Sequence, residues 1–352
     1  MRLLDRYIVS ALGRYTALSM LVLLVLAGLF LFVNEQGWVG VGTYGQAQAV
    51  RFVLAQLPAT ALQFLPVAAL LGALLAMGEL ARGSELTVMR AAGVSIARIA
   101  WSVALAGILL LPLAAAAGQW LAPQLAQSAR ISKALARNGS LSLSQGAAWV
   151  RDGASIVRAD AAGGVTLYEV DGTRLVSVTL AAHSEENRDG TRRLHDAVQV
   201  RVDAQGASRT LQPVVDLGAG AGTDFFELVR TDPRQQSFSQ LWRAIGLLEV
   251  RGQDAIAQRF ALWSRIAGLA ALPLAMLLAV PLLLGFMRSA GAGARASLGL
   301  ALGLLYFIAQ RMIENGTLAF GLNPLLLAWL PTLVLGGVVA LLLLRTRRIS
   351  AA

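Results

Sequence analysis

Ile99-Ala-Trp-Ser-Val-Ala-Leu-Ala-Gly-Ile-Leu-Leu-Leu-Pro-Leu-Ala-Ala-Ala-Ala-Gly-Gln-Trp-Leu121 contains no charged side chain, whereas Gln124-Leu-Ala-Gln-Ser-Ala-Arg-Ile-Ser-Lys-Ala-Leu-Ala-Arg137 carries three. The first stretch has the length of about 20 apolar residues that crosses a hydrocarbon core of about 30 Å. The second has helical spacing but is polar, as expected of a chain that has just left a membrane. Working outward, five more apolar stretches lie near 15–33, 58–78, 263–287, 296–313 and 324–344. The fifth in chain order, 296–313, ends early at Arg311 and Glu314. Six spans therefore flank one polar insert, 122–262.

Composition agrees with this layout. The 352 residues are 56% hydrophobic and 14% charged, with a mean hydropathy of +0.63. Soluble proteins average about 45–50% and about 25%. The absence of cysteine excludes disulfides, thiolate metal sites and cysteine nucleophiles. A net charge of +10 could suggest nucleic acid, but residues 122–262 hold 16 basic and 15 acidic side chains. The excess sits beside the apolar stretches, where the positive-inside rule places it. Arg2, Arg6, Arg14, Arg82, Arg90, Arg98, Arg288, Arg295, Arg345, Arg347 and Arg348 fall on one side, against Arg51 and Arg311 on the other. Both termini are expected in the cytoplasm and the insert on the opposite face.

The first stretch is expected to be a retained span, because no small-x-small cleavage site precedes Asn34. Ahead of it, Leu3, Leu4, Tyr7, Ile8, Ala11 and Leu12 share a stripe opposite Arg6, Ser10 and Arg14. That pattern predicts an interfacial amphipathic helix over 1–14, the alternative being an extended first span.

Within the insert, alternating runs at 148–151, 155–158, 165–170, 175–180 and 198–202 are separated by Asp152-Gly153, Asp171-Gly172 and Asp189-Gly190. These are hairpin signals, and they predict an all-β sandwich or open jelly roll with a returning helix around 239–260.

Several chemistries have no residues to carry them. The one lysine, Lys133, precedes Ala134, so no phosphate loop exists, and His183 and His195 lie far from any H-E-x-x-H pattern. Neither is there a G-x-S-x-G elbow. Between the second and third spans runs Arg82-Gly-Ser-Glu-Leu-Thr-Val-Met-Arg-Ala-Ala-Gly93. Ser84 is expected to cap a short helix there, with Glu85 in its first turn and Gly93 ending it. Leu86 and Met89, at i and i+3, would share a face suited to a partner's groove or to headgroups.

Six motifs in order resemble the lipopolysaccharide-export permeases, the LptF/LptG family, and the LptG branch more than LptF. They are Leu4-Asp-Arg-Tyr-Ile8, Pro66-Val-Ala-Ala-Leu-Leu-Gly-Ala-Leu-Leu75, Ser84-Glu-Leu-Thr-Val-Met89 with Gly93, Gly118-Gln-Trp-Leu-Ala-Pro123, Gly252-Gln-Asp-Ala255 with Trp263-Ser-Arg-Ile266, and Leu318-Ala-Phe-Gly-Leu-Asn-Pro324. The resemblance implies an α-helical polytopic inner-membrane protein with six transmembrane helices and an inserted all-β, jelly-roll-like periplasmic domain. Its parts would be an interfacial helix 1–14, spans one to three over 15–121, the periplasmic domain 122–262, spans four to six over 263–345, and a tail 346–352.

The implied role is half of a transporter rather than an enzyme. It pairs with LptF, two copies of the ATPase LptB and the single-span LptC, and moves lipopolysaccharide onto a bridge of β jelly rolls. This chain would bind no cofactor, ATP and Mg belonging to the partner ATPase. The family's coupling helix matches residues 84–93, with Arg82, Ser84, Glu85, Leu86, Met89 and Arg90 as candidate coupling residues.

Lipid A carries phosphates, which call for cations. Arg130, Lys133 and Arg137 share one helical face by spacing. The resemblance carries phosphate binding onto Arg130 and Lys133, and Arg137 extends it. Relatives carry lysines beyond the first span where this chain has Asn34, Glu35, Gln36 and Gly37. Gly299 and Gly303 form a G-x-x-x-G for close helix packing, which the resemblance places at a lateral gate. Arg265 and the Arg311/Glu314 pair read as interfacial anchors.

Competing readings are the LptF half, another lipid or lipoprotein exporter, a membrane-anchored sensor and an intramembrane enzyme. A sensor would need a larger cytoplasmic segment. An enzyme or proton-coupled carrier would need titratable groups inside the spans.

Overall fold

The computed structural model describes residues 3–138, 148–152, 155–159, 165–171, 174–181, 183–186, 192–203, 206–217, 232–250, 253–285 and 291–349. Arg288, Gly252 and the last three tail residues thus lie outside the described residues. Packing divides the chain into two compact units: Met1–Gly37 with Val53–Ala126 and Arg259–Ala352, and Trp38–Phe52 with Gln127–Gln258.

The first unit is helical. Its elements are α1 (Leu3–Glu35), α2 (Gln46–Arg82), α3 (Glu85–Ala91) and α4 (Ile96–Ala116) before the insert. Helices α5 (Ala122–Asn138) and α6 (Phe238–Val250) flank the β strands, and α7 (Ile256–Gly285), α8 (Ala292–Phe320) and α9 (Pro324–Ile349) follow. Among the described residues six helical runs are long and apolar enough to cross a membrane, as the sequence predicts. α2, α4 and α7 supply most of the core, through Leu70, Leu74, Met77, Ile99, Val103, Leu272, Met276 and Leu283. α1, α8 and α9 instead expose Leu21, Leu29, Phe30, Leu304, Leu305, Leu326 and Leu333. So much exposed aliphatic surface suits lipid or a membrane partner, not water.

Three details differ from expectation. Residues 3–14 form no separate interfacial helix, because α1 runs unbroken to Glu35. Its stripe turns inward: Ile8 and Leu12 are 0% exposed and join the core. The helix that carries the fifth apolar stretch does not stop at Arg311, since α8 continues to Phe320. Arg311 is satisfied there, with Nη1 3.4 Å from Glu314 Oε2 and Nη2 donating to Gln63 Oε1 at 3.1 Å. Finally, no break separates α4 from α5, which are joined by a π-helical turn, Ala117–Leu121. Pro123 follows that turn and has no N–H to return to the preceding helical turn, a mismatch that a π turn absorbs.

In the second unit the strands are β1 (Ala148–Asp152), β2 (Ser155–Ala159), β3 (Val165–Asp171), β4 (Arg174–Ala181), β5 (His183–Glu186), β6 (Arg192–Asp203) and β7 (Gly206–Leu217). All pairings are antiparallel. Leu180 pairs with Val198 and His183 with His195, three residues on in each strand, so β4 and β5 meet β6 in one unbroken register. The inserted β domain is present, and its described strands pair in one antiparallel sheet.

Asp152 pairs with Ser155 and Asp171 with Arg174, which puts both Asp-Gly signals at hairpin closures. Gly153, Gly172 and Asp189-Gly190 lie outside the described residues. Strand β7 was not expected, because Pro213 interrupts its pattern. It pairs only with β6, at an edge where a missing N–H is tolerated. Opposite Pro213 the ladder skips Asp196, which takes a left-handed φ of 53°.

Helix crossings in the first unit are tight. A Cβ on Gly107 would lie 2.5 Å from the Pro273 Cα of α7, and one on Gly72 would collide with the Thr16 backbone of α1. Backbone cannot step aside as a side-chain tip can, so Gly107→Val should cost about 1–3 kcal/mol or more. Gly316 meets open space, so Gly316→Ala should gain up to about 1 kcal/mol of helix propensity. Thermal unfolding of the purified protein in detergent should therefore shift down for the first variant and not for the second.

Candidate functional site

The linker between α2 and α4 is built by two stops. α2 ends at Arg82, where the Gly83 N–H donates to the Glu79 carbonyl at 2.9 Å. Ser84 is left-handed (φ 60°) and its side chain makes no capping bond. This corrects the expected cap: an N-cap residue has extended backbone, and Ser84 instead closes the turn leaving α2. α3 then runs for 7 residues and ends in a Schellman turn. The Val94 N–H reaches the Met89 carbonyl and the Gly93 N–H the Arg90 carbonyl, both at 3.0 Å, with Gly93 at φ +86°. Ser95 next caps α4, accepting the Arg98 N–H at 3.2 Å.

A helix this short does not persist alone, so packing must hold it. Leu86 is 5% exposed within the core, and Met89 and Val94 pack beside it. Burial of one leucine is worth about 1.5–3 kcal/mol. Leu86 and Met89 therefore seat α3 on its own chain and are not the outward knobs expected from their spacing. The outward face carries Val88, 65% exposed, with Thr87, Arg90 and Ala91. Arg82 also points outward, paired with Glu79 at 2.7 Å. Glu85 accepts a hydrogen bond from the Tyr7 hydroxyl at 2.7 Å.

The basic residues of α5 belong to the second unit. They are half-buried rather than an open solvated face. The Lys133 ammonium lies 4.5 Å from the Phe52 ring centre, 5.7 Å from Trp38 and 5.8 Å from Tyr44. The Arg137 guanidinium stacks 3.8 Å over Trp38. Arg130 has Asp232 as its charged neighbour. The aromatic segment is pinned to the end of α5, where the Thr43 N–H and Oγ1 both donate to the Ala136 carbonyl, at 2.7 and 2.9 Å. Gly42, at φ +61°, lies so close to the Ala136 and Arg137 carbonyls that any Cβ would collide with them.

A stacked guanidinium keeps its edge donors for an anion, and Arg137 Nε is buried with no hydrogen-bond partner among the described residues. The spacing argument missed Trp38, Tyr44 and Phe52. The signal was the aromatic, glycine-rich run Gly37-Trp-Val-Gly-Val-Gly-Thr-Tyr-Gly45. Among the described residues no group of three metal-ligating side chains occurs.

A family model described as lipopolysaccharide export system permease LptF/LptG matches residues 6–345, which takes in all six helical runs, α3 and the insert. The chain belongs to this family. It is 31% identical over 345 residues to the lipopolysaccharide export system permease protein LptG of Escherichia coli (strain K12), covering 94% of each chain. It is 30% identical over 356 residues to LptG of Haemophilus influenzae, covering 98% of this chain and 99% of that one. It is accordingly a multi-pass inner-membrane protein.

In this LptF/LptG-family chain the glycine pair of α8 lies at a close helix contact. A Cβ on Gly299 would lie 2.8 Å from Leu74 and 2.9 Å from Leu71, and one on Gly303 would collide with Val67. All three side chains belong to α2 of the same chain, so the pair packs α8 closely against its own bundle. The opposite side of α8, through Leu300, Leu304, Leu305 and Ile308, stays exposed.

Proposed function

We propose that this protein is the permease half of an ABC-type transporter that extracts lipopolysaccharide from the inner membrane. It passes the lipid to a periplasmic bridge of β jelly rolls. The observation that carries the reading is α3: a short helix, braced from within by Leu86 and Met89, offering a small outward face to another protein. With no phosphate loop in the sequence, ATP and Mg belong to a separate ATPase, LptB, docked on that face. LptF supplies the other half and LptC the single-span partner. The relatives described above are LptG proteins, which supports the LptG place in the pair.

Arginine placement puts both termini and α3 in the cytoplasm and residues 122–262 in the periplasm. Basic residues Arg130, Lys133 and Arg137 then stand on the periplasmic side of the third span, where lipid A phosphates would be held. The test is hydrolysis and lipid release. The purified chain alone should hydrolyse no ATP, and liposomes holding the full complex should release lipopolysaccharide to a soluble acceptor only with ATP. Robust hydrolysis by the single chain would overturn the assignment.

A further inference from the structure

The first helix is buried most deeply at one end. Apart from Glu35, its buried residues Asp5, Ile8, Ala11, Leu12, Thr16 and Ser19 all precede position 20. Beyond them Leu21, Val22, Val25, Leu26, Leu29, Phe30 and Val33 are exposed. At the buried end stand two polar ties. Arg98 donates from the first turn of α4 to Asp5 Oδ2 at 2.6 Å, and Ser102 Oγ donates to Asp5 Oδ1 at 2.7 Å. Tyr7, two residues on, holds Glu85 of α3.

Apolar side chains can slide past one another with little change in energy, but a buried carboxylate cannot leave its donors without a large desolvation cost. Asp5 is 4% exposed, and both its oxygens are engaged by α4. Displacement of α3 and α4 must therefore carry the start of α1 along, while the remainder of the helix exposes most of its apolar side chains.

We propose that Asp5 and Tyr7 are positioning residues that make α1 a lever, transmitting movement of α3 to the lipid-facing half of the helix. The inference rests on the function proposed above. It assigns a transmission role to the Asp5–Arg98–Ser102 cluster and the Tyr7–Glu85 bond.

The test uses the full complex in liposomes, measuring ATP hydrolysis and lipopolysaccharide release together. Tyr7→Phe and Asp5→Asn should assemble and hydrolyse ATP within about twofold of wild type, while lipid released per ATP falls about tenfold, within the usual range of coupling. The exchange Asp5→Arg with Arg98→Asp should recover most of that ratio. Because the chain has no cysteine, nitroxides at Leu26→Cys and Ala97→Cys report the lever directly. Their separation should hold through the ATP cycle in wild type and broaden in Asp5→Asn.

Unchanged lipid release per ATP in both variants overturns the lever, as does a distance distribution that Asp5→Asn leaves unaltered. If Asp5→Asn fails to assemble, Tyr7→Phe, which removes one hydroxyl, decides alone. If the wild-type complex releases no lipid with ATP, the proposed function falls first.

Discussion

Val88→Asp should abolish copurification of the ATPase while leaving this chain folded. Val88 is the most exposed large apolar residue of α3, and its neighbours Leu86 and Met89 are turned inward. If the outward face docks, Val88 is desolvated in the complex. A carboxylate there loses the apolar contact and must be buried unpaired, a change worth several kcal/mol, or more than about a hundredfold in affinity. Glu85→Arg should weaken assembly too, since it reverses the charge beside that face. Leu86→Ala should behave differently, costing about 2–5 kcal/mol of the chain's own stability. The measurement is paired: yield of the four-component complex, and thermal unfolding of the isolated permease. A normal complex yield in both Val88→Asp and Glu85→Arg would remove α3 as the docking element.

The contrast between Leu86 and Val88 shows where the sequence was legible and where it was not. Periodicity found all six spans, the polar helix after the third and four of the seven strands almost to the residue, because length and alternation are local properties. Gly93 ends α3 as read, since a left-handed turn selects glycine. What failed was direction. Spacing says that Leu86 and Met89 share a face, but not whether that face meets the chain's own core or a partner.

The N-terminal stripe failed for the same reason: Ile8 and Leu12 found a protein core where a headgroup layer was expected. Long-range polar pairs were invisible as well. Asp5 and Arg98 are 93 residues apart, and nothing local to either marks the other. Strand β7 was hidden by Pro213, because the edge position that tolerates proline is a property of the finished sheet.

The double variant Arg130→Ala with Lys133→Ala should reduce crosslinking of lipopolysaccharide in the assembled complex by tenfold or more. A charged hydrogen bond to a partly desolvated phosphate is worth about 1.5–3 kcal/mol. A screened surface charge is worth only about 0–1 kcal/mol. Arg130, Lys133 and Arg137 are half-buried, whereas Arg51 is exposed, so Arg51→Ala should matter less. The aromatic surroundings add a competing account, because a cation over a desolvated ring contributes about 2 kcal/mol or more. On that account Lys133 and Arg137 matter only by pinning the segment from Trp38 to Phe52.

Trp38 separates the two accounts. Trp38→Phe keeps a ring under Arg137, whereas Trp38→Ala removes it and frees the guanidinium. If the cations hold phosphate, the alanine variant lowers lipid crosslinking from photoreactive residues placed at 34, 51, 130 and 133, most strongly at 130 and 133. If they serve only as pins, the same variant lowers the unfolding temperature and leaves crosslinking per folded complex unchanged. Normal binding and export by the Arg130/Lys133 double variant would leave these cations as structural pins and move phosphate recognition to the partner permease.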